Sequence, residues 1–197
     1  IFEKANEMDQ SKSKNLLVVE DDETQRSSIR ELIGNSTAKV VEAPNGDAAV
    51  EILSRAHHEF LKAGNAERAA YAAFWIGFPM LLGGESARAL GWLQRARRVL
   101  DDASCVECVV HGYLQMPIGI RAVGQGDFET AHAAFTSAVH IGERFKDLDL
   151  VILARHAQGR ALVGSGRIAD GIALFDEIMV AVTADEASPL IVGAVYC

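Results

Sequence analysis

Two adjacent acids near the start of the chain have the residue types that can bind a hard cation. Glu20 and Asp21 directly follow the apolar run of residues 16–19, which is typical of a buried parallel strand. Carboxylates at the carboxyl end of such a strand are hard oxygen ligands for Mg²⁺. Two carboxylates alone hold a metal ion weakly, and no further aspartate occurs between Asp47 and Asp101. The alternative is that these acids solvate the strand end and favour the N-terminus of the next helix.

A second candidate for chemistry is the pair Cys105 and Cys108, separated by two residues and followed by His111. This spacing occurs in zinc and redox sites, but structural zinc needs a fourth ligand and a thioredoxin-like site needs a preceding strand. With helical spacing, the two cysteines share one face as ordinary buried thiols. A zinc- or redox-dependent protein remains the alternative. The odd total of three cysteines indicates a reducing compartment.

The remaining residues give no catalytic constellation. The histidines are scattered without a carboxylate or cysteine that completes a set, at His57, His58, His111, His132, His140 and His156. The glycines at 83–84 and 164–166 lack the Lys-Ser/Thr of a phosphate-binding loop, and no nucleophile elbow occurs. The sequence therefore predicts a protein that is not an enzyme and has no cofactor; a magnesium ion at the acidic pair would require the rest of its site to be supplied.

Composition restricts the partners that the chain can have. It has 197 residues, 49% of them hydrophobic, and a formal net charge of −8. No basic face is available for nucleic acid, and no apolar run approaches the ~20 residues of a membrane span. The polar start lacks a signal-peptide core. We expect a cytoplasmic protein that binds neither nucleic acid nor membranes.

Residues 15–54 have the pattern strand, helix, strand, helix, after a polar leader or linker at residues 1–14. The segments "LLVVEDD" and "VVEAPNGDAAVEIL" carry this pattern, with an amphipathic helix between them. They resemble the first half of a two-component response-regulator receiver domain. That resemblance implies a magnesium ion on Glu20 and Asp21.

The later parts of a receiver do not follow in this chain. In that family the phosphate-accepting aspartate ends a third strand, and a Ser or Thr and a Lys lie on later strands. The residues after Leu53 instead favour helix. We therefore expect no phosphotransfer by this segment alone, and the alternative is a phosphorelay response regulator whose receiver is completed by another chain.

Residues 55–197 contain an internal repeat. Stretches that begin at Gly84, Gly126 and Gly166 align without gaps, with starts 42 and 40 residues apart. Each has a small residue five places after the glycine, a large apolar residue four places further, and an apolar residue three beyond it: Ala89, Ala131, Gly171; Leu93, Phe135, Phe175; Ala96, Ala138, Ile178. This spacing is helical, and the small residue lets a neighbouring helix approach closely.

An amphipathic segment precedes each turn, at residues 69–82, 109–123 and 151–163. Each repeat is therefore predicted to be an antiparallel helical hairpin, similar to a tetratricopeptide repeat with somewhat longer helices than its ~34-residue unit. The fold class is mainly α, a tetratricopeptide-like α-solenoid preceded by the short βαβα segment. Residues ~60–197 also resemble the repeat region of LuxR-type bacterial transcriptional regulators, without their helix-turn-helix, so DNA binding is not implied.

Solenoids of this kind commonly bind a peptide or protein segment in a concave groove lined by the first helix of each pair. We therefore predict a non-enzymatic protein-interaction or scaffold module in bacterial signalling or transcription regulation. The candidate groove residues are Tyr71, Trp75, Tyr113, Arg121, Arg155 and Gln158. Trp75 and Trp92 have the alternative role of packing between helices. An uncapped terminal helix after residue 188 would favour self-association.

Overall fold

The computed structural model describes residues 15–19, 23, 39–43, 45–184, 188 and 191. The chain divides into two compact units, Ile1–Ala56 and His57–Cys197. The described residues are mainly helical, which confirms the predicted class at that level.

In the first unit, two short strands pair in parallel. Strand β1 (Asn15–Val19) lies beside β2 (Lys39–Ala43). Helix α1 (Gly46–Lys62) begins in this unit, and its residues from His57 onward belong to the second. Its first turn is stabilised by the Asn45 side chain, whose Oδ1 accepts the Ala48 N–H at 2.9 Å. Glu20 and Asp21 lie outside the described residues, so the magnesium site remains a prediction.

The described part of the second unit consists of helical hairpins. Its helices are α2 (Ala66–Leu82), α3 (Ser86–Asp102), α4 (Val110–Tyr113), α5 (Met116–Gly124), α6 (Phe128–Phe145), α7 (Leu148–Gly164) and α8 (Ile168–Thr183). The first hairpin is α2 with α3, the second is α4 and α5 with α6, and the third is α7 with α8. The first helices are also neighbours: α2 packs against α4, and α5 packs against α7.

The turn within each hairpin contains the glycine that begins each sequence repeat. Gly84, Gly126 and Gly166 have φ angles of 85°, 74° and 87°. A side chain is strained in this left-handed region, whereas glycine is not. The turn positions predicted from the repeat are therefore present in the structure.

Inside the first and third hairpins the two helices approach closely at a pair of small residues. The predicted positions Ala89, Ala131 and Gly171 are buried on the second helices. A Cβ added at Gly77 of α2 would lie 2.9 Å from the Ala89 carbonyl oxygen, and one at Gly171 would lie 2.7 Å from the Gly159 carbonyl oxygen. Close packing in these two hairpins therefore requires small residues on both helices.

The segment predicted as one helix over residues 109–123 is divided in the structure. Helix α4 ends at Tyr113 and α5 begins at Met116. Pro117 lies directly after the break and has no N–H to donate to the Tyr113 carbonyl, its helical acceptor. The prediction of a continuous helix was wrong.

The connections between successive hairpins differ in length. Residues 103–109 join α3 to α4, whereas only Lys146 and Asp147 join α6 to α7. Helices α6 and α7 pack directly together, and α3 and α5 approach less closely. A groove is left between α3 and α5.

Candidate functional site

Three of the six predicted groove residues form one aromatic cluster on the first helices. The ring of Tyr71 lies 6.1 Å from that of Trp75 and 5.2 Å from that of Tyr113, and the Trp75 and Tyr113 rings are 5.9 Å apart. Tyr71 and Trp75 are half-buried, but Tyr113 is fully buried. Tyr113 therefore supports the cluster from within, and only the other two rings offer surface to a partner.

Tyr113 also connects the second hairpin to the third. Its hydroxyl donates to Asp147 Oδ1 at 3.1 Å, and the same oxygen accepts the Leu150 N–H at 2.8 Å, which caps α7. Burial raises the pKa of the Asp147 carboxyl and that of the Tyr113 hydroxyl. These shifts belong to a structural junction, in which both polar groups have found hydrogen-bond partners.

Arg155 and Gln158 are engaged within the chain. Arg155 pairs with Glu177 and, at 3.2 Å, with Glu143. The Gln158 Nε2 donates to Thr136 Oγ1 at 2.9 Å, which joins α7 to α6. A partner that used either side chain would compete with these contacts.

Arg121 lies apart from the aromatic cluster. It is exposed and lines the α3–α5 groove, which has a volume of about 370 Å³. The groove walls include Leu90, Leu93, Gln94 and Arg97 from α3, and Pro117, Ile118 and Arg121 from α5. The structure therefore does not bring all six predicted residues to one surface.

The cysteine pair lies in the connection between α3 and α4, so the predicted shared helical face was wrong. Cys108 is buried, and burial together with the neighbouring Cys105 raises the pKa of its thiol to about 11. His111 Nε2 donates to the Cys105 carbonyl oxygen at 2.8 Å. In the described part of the chain, no three His, Cys, Asp or Glu side chains are grouped to hold a metal ion.

His57 is the buried polar side chain of the core, and it links α2 to α3. Its Nδ1 is 2.8 Å from the Ala69 carbonyl oxygen, which can only accept, so Nδ1 carries the proton. Its Nε2 accepts from Arg95 Nε at 2.8 Å. Burial lowers the pKa of the imidazole, which keeps the ring neutral. Its role is therefore structural.

Sequence reasoning missed two features of these surfaces. The glycines of the first helices, Gly77, Gly119 and Gly159, follow the same 42- and 40-residue spacing as the turns. Extending the self-comparison seven residues towards the N-terminus finds them. The bond between Arg95 and His57 has no such signal, because the two residues are 38 positions apart in different types of segment.

None of the helices in the described ranges is both long and apolar enough to cross a membrane. Comparison of the chain with protein-family models, with curated proteins and with solved structures gave no significant match.

Proposed function

We propose that this chain is a non-enzymatic protein-interaction module of a bacterial signalling or transcription-regulation protein, built as a tetratricopeptide-like solenoid. The observation that supports this function is the lateral packing of first helices, α2 on α4 and α5 on α7. Side-by-side first helices offer a continuous face to a peptide or protein segment.

The half-buried aromatic rings on that face suit such a role. Tyr71 and Trp75 are held by the buried Tyr113 beneath them, so their positions are restricted before a partner arrives. Rigid aromatic side chains lose little conformational entropy on binding and are enriched at protein interfaces.

Selection from a displayed random-peptide library against the full chain tests this function. We expect enriched peptides, and hydrogen exchange of the complex should show added protection on the described helices of the second unit. Failure to enrich any peptide would contradict the proposal, and so would enriched peptides that leave the hydrogen exchange of these helices unchanged.

A second candidate function is the phosphorelay regulator completed by another chain. The parallel pairing of β1 with β2 favours it, since receivers are built on a parallel sheet. Acetyl phosphate with Mg²⁺ should change the mass, and beryllofluoride with Mg²⁺ should change the spectrum, when added to the chain alone or with candidate receiver fragments, if this function is right. Unchanged signals in every mixture would remove it.

A further inference from the structure

We propose that the α3–α5 groove binds an acidic peptide segment in which an apolar side chain is flanked by carboxylates. The inference rests on the proposed interaction function and assigns it a second, separate surface. The apolar part of the groove comes from Leu90, Leu93 and Ile118, and Leu90 is 45% exposed in the chain.

The charge of the groove opposes that of the whole chain. Arg97 and Arg121 line it from opposite helices, and no acidic side chain is among its lining residues. Both arginines are exposed, and neither makes an ion pair within the part of the chain that the structure describes. In a chain of net charge −8, two unpaired arginines on either side of an apolar groove are complementary to carboxylates.

The equivalent junction one repeat later lacks these properties. At the positions of Arg97 and Arg121 it has Val139 and Ala161, both buried. At the positions of Gln94 and Ile118 it has Thr136 and Gln158, which hydrogen-bond to each other across the junction at 2.9 Å.

A cavity of about 310 Å³ does lie near the end of that second junction, between the start of α6 and the end of α7. It is lined by Glu129 as well as Arg167, so its charge is mixed. An apolar lining whose only charged residues are arginines is therefore a property of the first junction and is not a general result of the repeat.

The chemistry of the groove determines the ligand class. An aliphatic or aromatic side chain would bury its surface against the leucines and Ile118, which provides affinity without direction. Carboxylates on both sides of it would pair with the two guanidinium groups, which fixes the orientation of the peptide.

The experiment is a selection from a random-peptide library against the intact chain, followed by fluorescence anisotropy with the enriched peptides. The test variant is Arg97→Glu with Arg121→Glu. The control is Arg98→Glu with Arg160→Glu, which makes the same charge change at exposed positions outside the groove lining. All substituted side chains are exposed, and melting curves measured by circular dichroism check that both variants fold.

We expect enriched peptides to combine Asp or Glu with a large apolar residue. The test variant should weaken their binding roughly tenfold or more, and the control by about twofold at most. Leu90→Ala with Ile118→Ala should also weaken binding, and this loss of affinity should depend less on salt than the loss in the arginine variant.

Other outcomes separate the two proposals. Enriched peptides that bind the test variant as tightly as the parent chain, and protect the aromatic face, overturn the groove assignment and leave the proposed function intact. A chain dimer that dissociates only in the test variant would show that a second copy occupies the groove, which also overturns the assignment. Failure to enrich any peptide overturns both.

Discussion

The two junctions between successive hairpins use the same repeat in opposite ways. At the first, seven residues connect α3 to α4 and an apolar groove with two arginines remains between α3 and α5. At the second, two residues connect α6 to α7, and Thr136 and Gln158 bond across the interface. Packing within the hairpin is thus common to the repeats, whereas the longer connection accompanies the open surface.

The two helices that line the α3–α5 groove, here called the open junction, are each packed against a further helix. Helix α5 packs against α6, where a Cβ at Gly119 would lie 2.6 Å from Phe135 Cζ and 2.8 Å from its Cδ1. Helix α3 is connected to α2 through His57, which accepts from Arg95 and donates to the Ala69 carbonyl oxygen. The groove therefore does not need α3 and α5 to touch each other in order to keep its shape.

The largest expected effect comes from Gly119→Ala. Phe135 is fully buried, so its ring has little room to move, and we expect the free energy of unfolding to fall by roughly 2–3 kcal/mol. Urea titration followed by circular dichroism measures the change.

Gly91→Ala is the matched control, on the exposed side of α3, where the added methyl group meets no atom within 4 Å. It should raise the free energy of unfolding by about 0.5–1 kcal/mol, because alanine favours helix. Equal effects of the two substitutions would contradict the anchoring of α5 on α6.

The next largest effect concerns the junction between α6 and α7, here called the closed junction. Asp147→Ala removes the α7 cap and leaves the buried Tyr113 hydroxyl without its acceptor, so we expect a loss of about 2 kcal/mol. Asp127→Ala removes only a cap, the bond to the Thr130 N–H, and should cost about 1 kcal/mol.

Tyr113→Phe provides the check on this interpretation. In the Asp147→Ala background it should restore part of the loss, because no hydroxyl then remains unpaired. Additive effects of the two substitutions would show that their hydrogen bond contributes nothing.

The free energy of unfolding should fall in mild acid, because His57 contributes to the packing of α3. The folded-state pKa of His57 is lowered by burial, so the unfolded chain takes up a proton first as the pH falls. Stability is therefore full above the unfolded value of about 6.5 and decreases as the pH falls below it. A proton on His57 Nε2 would also remove the acceptor of the Arg95 N–H and place a positive charge beside His58.

Urea titrations at neutral and mildly acidic pH measure this effect. His57→Gln should flatten the pH dependence, leaving a smaller slope from His156, whose pKa burial also lowers. The exposed His140, changed to Gln, is the control. An unchanged slope in His57→Gln would contradict the assignment.

The smallest effect tests the bond across the closed junction. Thr136→Val removes the acceptor of Gln158, which is half-buried, and should cost about 0.5–1 kcal/mol. Gln94→Ala, at the matching position of the open junction, should change stability by less than about 0.5 kcal/mol. Thermal melts of both variants, compared with the parent chain, measure the difference.

The hairpins could be predicted from the sequence because their determinants are local and repeated. Gly126, for example, marks a turn by its need for a left-handed backbone, and Phe135 is found by its fixed distance from that turn. The groove could not be predicted in this way. Arg97 and Arg121 belong to different repeats, and their common surface depends on how far a seven-residue connection separates two helices.

The same limit explains the errors in the middle segment. Pro117 was compatible with a first helical turn or with a break, and the sequence pattern did not distinguish them. The cysteine spacing fitted a helix, but Cys105 and Cys108 lie in the connection instead.

The connection of residues 103–109 has one broader consequence. Doubling the length of a flexible loop costs only about 0.6 kcal/mol of chain entropy, so a surface insertion is thermodynamically cheap. A repeat protein could therefore gain or lose a binding surface between two hairpins through a change in the length of one connection. The packing inside each hairpin would stay the same.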